Sequence, residues 1–433
     1  GLTNLSGGVF DISSDGVALN NWQMGTFDNQ AGATFGKSDG SGNSTVAWTF
    51  NNNGTVLAQT GRLVFTHGGA YGGNTTISTG ATVEFNSGTF ALQNGGTAAG
   101  GGNLLVTSGT LNVANGGTFT SGAHVVQSGG TLGGGGNASS KLLLNADYDW
   151  SSGTLGGNGV VQINGTTNTW SGNSTKYINT AAVNVQNRGT IHLTGTSVSI
   201  MAINGGLTNM NGGVFDISGD GAALVNWQVG TFDNQAGATF SKSAGNGNST
   251  VAWTFYNSGL VEAICGTLSF TNSFTQSATG SMQANNATIV LPSGTVALQG
   301  NLSGSGTILA ATIHQNHGTI SPGSSPGTLG FSGNLILDST SELDFDLGSV
   351  SDLITVGGNL TLDGTLNVTA VSGFGPGTYP LIDYSGTLTD NGLAFGTLPN
   401  GYTYSLVNDI PNTRVGLQVV PEPGMLTLLI FAL

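Results

Sequence analysis

The sequence predicts an all-β chain wound as a parallel β-helix, a β-solenoid ending in a C-terminal β cap and a short apolar tail. Three observations carry that expectation. The tripeptide Gly-Thr-(apolar) returns at Gly88-Thr89-Phe90, Gly109-Thr110-Leu111, Gly130-Thr131-Leu132 and Gly153-Thr154-Leu155, at spacings of 21, 21 and 23 residues. Such a period marks one supersecondary unit that must stack on its neighbours to bury its apolar face. Between these marks lie short alternating segments, among them Asn103-Leu104-Leu105-Val106 and Thr110-Leu111-Asn112-Val113, which read as strands with one side to a core. Finally, the chain holds 75 glycines, residues suited to corners that need positive φ, and only 6% charged residues.

The low charge follows from stacking. Like charges repeated on adjacent rungs lie roughly 5 Å apart and repel, so Thr, Ser and Asn take their places. A balance of 21 acidic against 7 basic residues disfavours a nucleic-acid partner, because the cations Lys37, Arg62, Lys141, Lys176, Arg188, Lys242 and Arg414 are scattered. Cys265 is the single cysteine, so no intrachain disulfide supports the fold. No capped helical period occurs.

In chain order, residues 1–66 return as residues 206–271. Gly25-Thr26-Phe27-Asp28-Asn29-Gln30 matches Gly230-Thr231-Phe232-Asp233-Asn234-Gln235, and Val46-Ala47-Trp48-Thr49-Phe50 matches Val251-Ala252-Trp253-Thr254-Phe255. An offset of 205 residues, divided by a coil of about 22, gives roughly nine coils per copy, which only an open-ended architecture accommodates. Gly100-Gly101-Gly102 and Gly133-Gly134-Gly135-Gly136 read as corners or bulges. The organisation expected is a helix over residues 1–325, some 15 coils and a rod on the order of 70 Å, then a C-terminal β region over 326–419 and a tail from 420. The chain begins inside a repeat and ends inside an apolar run, and so reads as a fragment.

Two stretches carry a family resemblance. Ile320-Ser321-Pro322-Gly323-Ser324-Ser325-Pro326-Gly327-Thr328-Leu329, continued by Phe331-Ser332-Gly333-Asn334-Leu335 and Leu343-Asp344-Phe345-Asp346-Leu347, resembles the passenger-associated repeat of bacterial autotransporter passengers. That resemblance implies a right-handed β-helix exported to the cell surface. Val420-Pro421-Glu422-Pro423-Gly424, followed by the apolar residues 425–433, resembles the start of a PEP-CTERM sorting signal. It implies a Gram-negative bacterium, an exosortase-type sorting enzyme as partner, transient membrane anchoring through the tail, and an organism that makes exopolysaccharide. The nine apolar residues fall short of the about 20 that span a bilayer.

Candidate chemistry is sparse. Trp22, Gln23 and Asp28, repeated as Trp227, Gln228 and Asp233, form a possible saccharide surface, with indole on pyranose and amide on hydroxyl; the alternative is a corner packed by Trp and tied by an Asn/Asp ladder. Asp147 with Asp149, and Asp344 with Asp346, have the spacing of paired carboxylates on one side of a strand, yet alternation with Leu343, Phe345 and Leu347 puts the second pair on the solvent face. His314 and His317 lack further ligands nearby, and Cys265 fills the slot of Thr60 in the first copy. No catalytic, cofactor or metal residue is assigned. The expectation is a non-enzymatic, exported structural or adhesive solenoid of the cell surface or matrix, associated with exopolysaccharide. The alternatives are a carbohydrate-active enzyme on the same helix and an autotransporter-type adhesin passenger.

Overall fold

A computed structural model describes every residue except 21, 181–183, 196–198, 229, 324–325 and 423–433. Two compact units result, Gly1–Asp233 and Asn234–Leu433. Up to the antiparallel strands near the C-terminal end of the second unit, the backbone satisfies its hydrogen bonds between successive turns rather than within hairpins, as the Gly-Thr period requires.

In the first unit each turn lays down three short strands, one in each of three parallel sheets. Leu2–Asn4, Val9–Ile12 and Gly16–Leu19 open the first, second and third sheets, and Thr26–Asn29, Thr34–Lys37 and Asn43–Val46 follow on them. Thr49–Asn52, Thr55–Ala58 and Arg62–Phe65 come next, with Thr26 opposite Thr49 and Phe27 opposite Phe50. The Gly-Thr marks stack in one column, Thr89, Thr110, Thr131 and Thr154 being register partners in turn.

Alternation fixes what faces inward. Phe27, Phe35, Phe50 and Phe65 are buried and touch ring to ring, with centroids 4.9 Å apart for Phe27–Phe35 and 4.6 Å for Phe50–Phe65. Further along, Trp150 meets Trp170 edge to face at 4.9 Å. Each such burial stabilises by about 1.5–3 kcal/mol, which offsets the backbone entropy of the short strands. Corners tolerate little substitution: Gly135 has φ +73°, and a Cβ there would lie 1.8 Å from the Val113 carbonyl oxygen.

Polar residues share the interior. Asn29 Nδ2 donates to Asn52 Oδ1 at 2.8 Å and to the Thr55 carbonyl at 3.1 Å, while Asn4 Nδ2 donates to Asn29 Oδ1 at 3.0 Å. The amide thereby ties its own strand to the next rung and to the backbone beyond the next corner. Asn187 does the same with Asn209 and the Val214 carbonyl.

The duplication is displaced by one face. Leu2–Asn4 belongs to the first sheet, but its counterpart Gly206–Asn209 joins the second, on Val185–Asn187. Val9–Ile12 moves likewise from the second sheet to the third as Val214–Ile217, and Gly16–Leu19 from the third to the first as Gly221–Asn226. Among the described residues Leu2–Asn4 is the first strand and Gly206–Asn209 the twenty-ninth, a separation of 28 strands, or nine turns of three plus one strand. The copy length is therefore nine and a third turns, not the nine that the residue count suggests, because a strand with its corner, and not a whole coil, is the unit that repeats.

The second unit repeats this plan. Asn248–Val251, Thr254–Asn257 and Leu260–Ala263 pair with Thr267–Phe270, Phe274–Gln276 and Ser281–Ala284. Parallel winding continues to Gly377–Tyr384, Leu388–Asp390 and Ala394–Phe395. Gly377–Tyr384 then pairs antiparallel with Arg414–Pro421, and this in turn with Tyr402–Asp409. Arg414 clasps Asp383 through Nε at 2.6 Å and Nη2 at 2.8 Å across that seam. The antiparallel strands give the last coil a covering that a further parallel turn would otherwise supply.

Candidate functional site: two tryptophan corners

The corner between Gly16–Leu19 and Thr26–Asn29 carries Trp22, Gln23 and Met24, all exposed, with Trp22 at 91% and Met24 at 85%. Its backbone is pinned from the next coil: Trp48 Nε1 donates to the Asn20 carbonyl at 2.7 Å, and the Trp48 indole lies over Gly25, where a Cβ would sit 2.4 Å from the ring. Glycine at 25 is what lets Trp48 lie flat on the corner. Trp22 itself makes no hydrogen bond or ring contact among the described residues.

The second copy builds an equivalent corner between Gly221–Asn226 and Thr231–Asn234. The Trp227 and Gln228 amides both donate to the Ala202 carbonyl, at 3.1 and 3.2 Å, and Asn226 Oδ1 accepts the Gly230 amide at 3.0 Å. On this braced turn Trp227 is 72% exposed. Two indoles standing in solvent on held corners differ from the packed Trp corner weighed above; the Asn/Asp ladder lies beside them. Asp28 sits half-buried on the outer face of Thr26–Asn29 and accepts Asn51 Nδ2 at 2.7 Å. Asp233 holds the matching outward place on its strand. The structure thus keeps each Trp-Gln pair together on a corner, with its aspartate on the strand that the corner feeds, and sets the two trios on different corners.

Of the remaining candidate carboxylates, Asp147, Asp149 and Asp344 are engaged with neighbouring rungs. Asp147 accepts the Thr167 amide at 3.0 Å and the Thr167 hydroxyl, and these hydrogen bonds hold its carboxyl below the usual range. Asp149 accepts the Thr169 amide at 2.9 Å and pairs with His124 at 3.1 Å. Asp344 accepts Asn367 Nδ2 at 2.8 Å, while Phe345 between it and Asp346, and Leu343 and Leu347 on either side of the pair, point inward. A recess of about 460 Å³ on the second unit is lined by Phe331, Thr355, Asp383 and Tyr384, and another of about 390 Å³ by Gln283, Ser303, Ser321 and Asp344. Each presents one carboxylate. His314 lies 3.9 Å from Asp338, His317 occupies a turn with φ 55°, and no cluster of three or more metal-ligating side chains occurs among the described residues. Cys265 is half-buried.

Three buried cations escaped the sequence reading. Lys37, Lys176 and Lys242 are fully buried. Lys37 Nζ donates to Asp15 at 2.9 Å, to the Asp39 carbonyl at 2.9 Å and to Ser44 Oγ at 2.8 Å, and Asp15 is acidified chiefly by that bond. Lys242 repeats the bond to the matching serine, Ser249, at 3.0 Å. The sign was present: in Thr34-Phe35-Gly36-Lys37 the lysine shares the parity of the inward Phe35. Asp352 also escaped notice. It is buried, accepts the Gly327 amide at 2.7 Å and the Asp346 amide at 2.8 Å, and so anchors the end of the Pro- and Gly-rich segment near 322–327.

Of the tail motif, Val420 and Pro421 end the last strand and the Glu422 amide donates to the Gly401 carbonyl at 3.2 Å. Pro423 and Gly424 lie outside the described residues. No helix among the described residues is long and apolar enough to cross a membrane.

Part of the chain is similar to a known adhesin. The chain is 51% identical over 94 residues to the adhesin BmaC autotransporter of Brucella suis biovar 1 (strain 1330), a match covering 19% of this chain and 3% of that protein. No family model matches the chain.

Proposed function

We propose that the chain is part of an exported, non-enzymatic β-solenoid of the cell surface or extracellular matrix, with a structural and adhesive role and an association with exopolysaccharide. One observation carries the reading: stacked parallel coils in a chain of which one 94-residue stretch is similar to an autotransporter adhesin. Support against hydrolysis comes from Asp147, Asp149 and Asp344, which spend their oxygens on adjacent rungs, and from recesses with one carboxylate each. In this reading Val420-Pro421-Glu422-Pro423-Gly424 directs sorting by an exosortase-type enzyme, and the tail anchors the protein to the membrane until it is processed. The Brucella similarity favours a second reading, an autotransporter-type passenger delivered without that signal.

Replacing Pro421, Glu422 and Pro423 by alanine in the native host separates the two. Sorting by the tail predicts an unprocessed, membrane-retained protein; unchanged mature mass and surface level favour the passenger route. Adhesion is read from beads coated with the purified chain. Retention on matrix or host-cell surfaces no greater than for albumin-coated beads counts against the adhesive role.

A further inference from the structure

We infer that the corners of Trp22 and Trp227 are two separate binding sites for neutral saccharide, turned to different sides of the first unit, so that one molecule bridges two glycan chains instead of gripping one. The inference rests on the surface-matrix reading and adds to it the ligand class, the residues and the valency.

Each site is built. An indole left in water costs hydrophobic free energy, yet Trp227, with coils stacked on both sides of its turn, stays 72% exposed while the backbone beneath it is braced. Trp48 Nε1 and the stacked Trp48 ring hold the first corner; the doubly accepting Ala202 carbonyl and Asn226 Oδ1 hold the second. Residues 20–26 and 226–231 contain indole, amide and hydroxyl groups and no charged side chain. An exposed indole offers its face to the C–H side of a pyranose, and the neighbouring amides pair with hydroxyls. Lacking Lys or Arg, the corners have no means of favouring an anionic sugar or an anionic bilayer over a neutral ring.

The valency comes from the one-face displacement. Trp22 lies where the third sheet passes to the first, and Trp227 where the first passes to the second. Nine and a third turns at roughly 4.8 Å each place them about 45 Å apart along the winding axis. A straight glycan lying along one edge reaches one corner and misses the other. An offset of nine whole turns would have aligned both indoles on one edge for a single chain.

The test uses the full chain with hexasaccharides of β-1,4-glucan, α-1,6-glucan and β-1,4-linked N-acetylglucosamine, and with the corresponding soluble polymers. Calorimetry with the hexasaccharide that binds is expected to give two equivalent sites. Trp22→Ala and Trp227→Ala should each leave one site with Kd within twofold, and the double variant should lose binding by more than tenfold. Circular dichroism checks that these surface variants keep the β-helix. Polymer cross-linking, followed by light scattering, should disappear in either single variant. Binding that survives the double substitution, or binding of none of the three sugars, overturns the sites. Loss of all binding in one single variant shows one composite site and overturns the bridging alone. The surface-matrix reading fails separately, if the protein is not exported.

Discussion

Replacing Asn257 by alanine tests whether the interior amide ladder holds the coils. Asn257 is 1% exposed; its Oδ1 accepts Asn234 Nδ2 at 2.9 Å, and its Nδ2 donates to Gln276 Oε1 at 3.0 Å and to the Ser281 carbonyl at 3.1 Å. Alanine removes all three bonds. It leaves Gln276 Oε1 and the Ser281 carbonyl without this donor, and takes from Asn234 Nδ2 one of its two acceptors. A buried group stripped of its partner costs about 1–3 kcal/mol, so the three together give a loss of roughly 3–5 kcal/mol. Because a solenoid couples nearest neighbours most strongly, the loss should be local. Urea unfolding gives the magnitude, and hydrogen exchange should show protection falling in residues 231–284 and not in residues 334–370. Asn246→Ala, at an exposed corner, is the control and should change stability by less than about 0.5 kcal/mol. A loss below about 1 kcal/mol in Asn257→Ala, or one spread evenly over the chain, refutes the ladder as a stabilising device.

Other substitutions probe the rest of the interior. Trp150→Ala should cost about 3–5 kcal/mol, since it vacates a fully buried site against Trp170, with exchange protection lost first in residues 141–193. Burial lowers the pKa of Lys176 from 10.5 to about 8, its Nζ finding, among the described residues, the Gly172 and Ser174 carbonyls at 3.5 and 3.3 Å. Between pH 8 and 10.5 the unfolded chain therefore holds the proton that the folded chain has shed. Stability should rise with pH through that window, and Lys176→Met should flatten the rise as read from Tm at pH 7.5 and 10. Asp352→Ala strands the Gly327 and Asp346 amides, at roughly 1–3 kcal/mol each, and should speed exchange at both positions.

Much of this was legible in the residues. The Gly-Thr spacing gave the coil, alternation gave the inward Phe and Leu, and Leu343-Asp344-Phe345 correctly placed its acid outside. What escaped did so for a physical reason. Hydrophobic patterning assigns polar residues to solvent, yet Asn29, Lys37 and Asn257 face inward because a neighbouring rung supplies their hydrogen bonds, and no single strand shows its neighbour. Trp22 and Trp227 failed in the opposite sense. Their preservation in both copies is equally expected of a packed corner, but each stands on a corner whose backbone is held by contacts from other coils, Asn20 to Trp48 and residues 227–228 to Ala202, separations that local pattern cannot reveal. Dividing 205 by a coil length could not disclose the extra third of a turn, since coils vary by a few residues at their corners.

That extra third has an evolutionary consequence. If any strand-sized cassette fits any of the three sides, recombination need not respect whole windings, and gaining or losing one cassette leaves the packing intact while swinging the following segment to a new compass bearing. A lineage could thus re-aim an unchanged surface patch by slippage alone, without altering a single side chain within it.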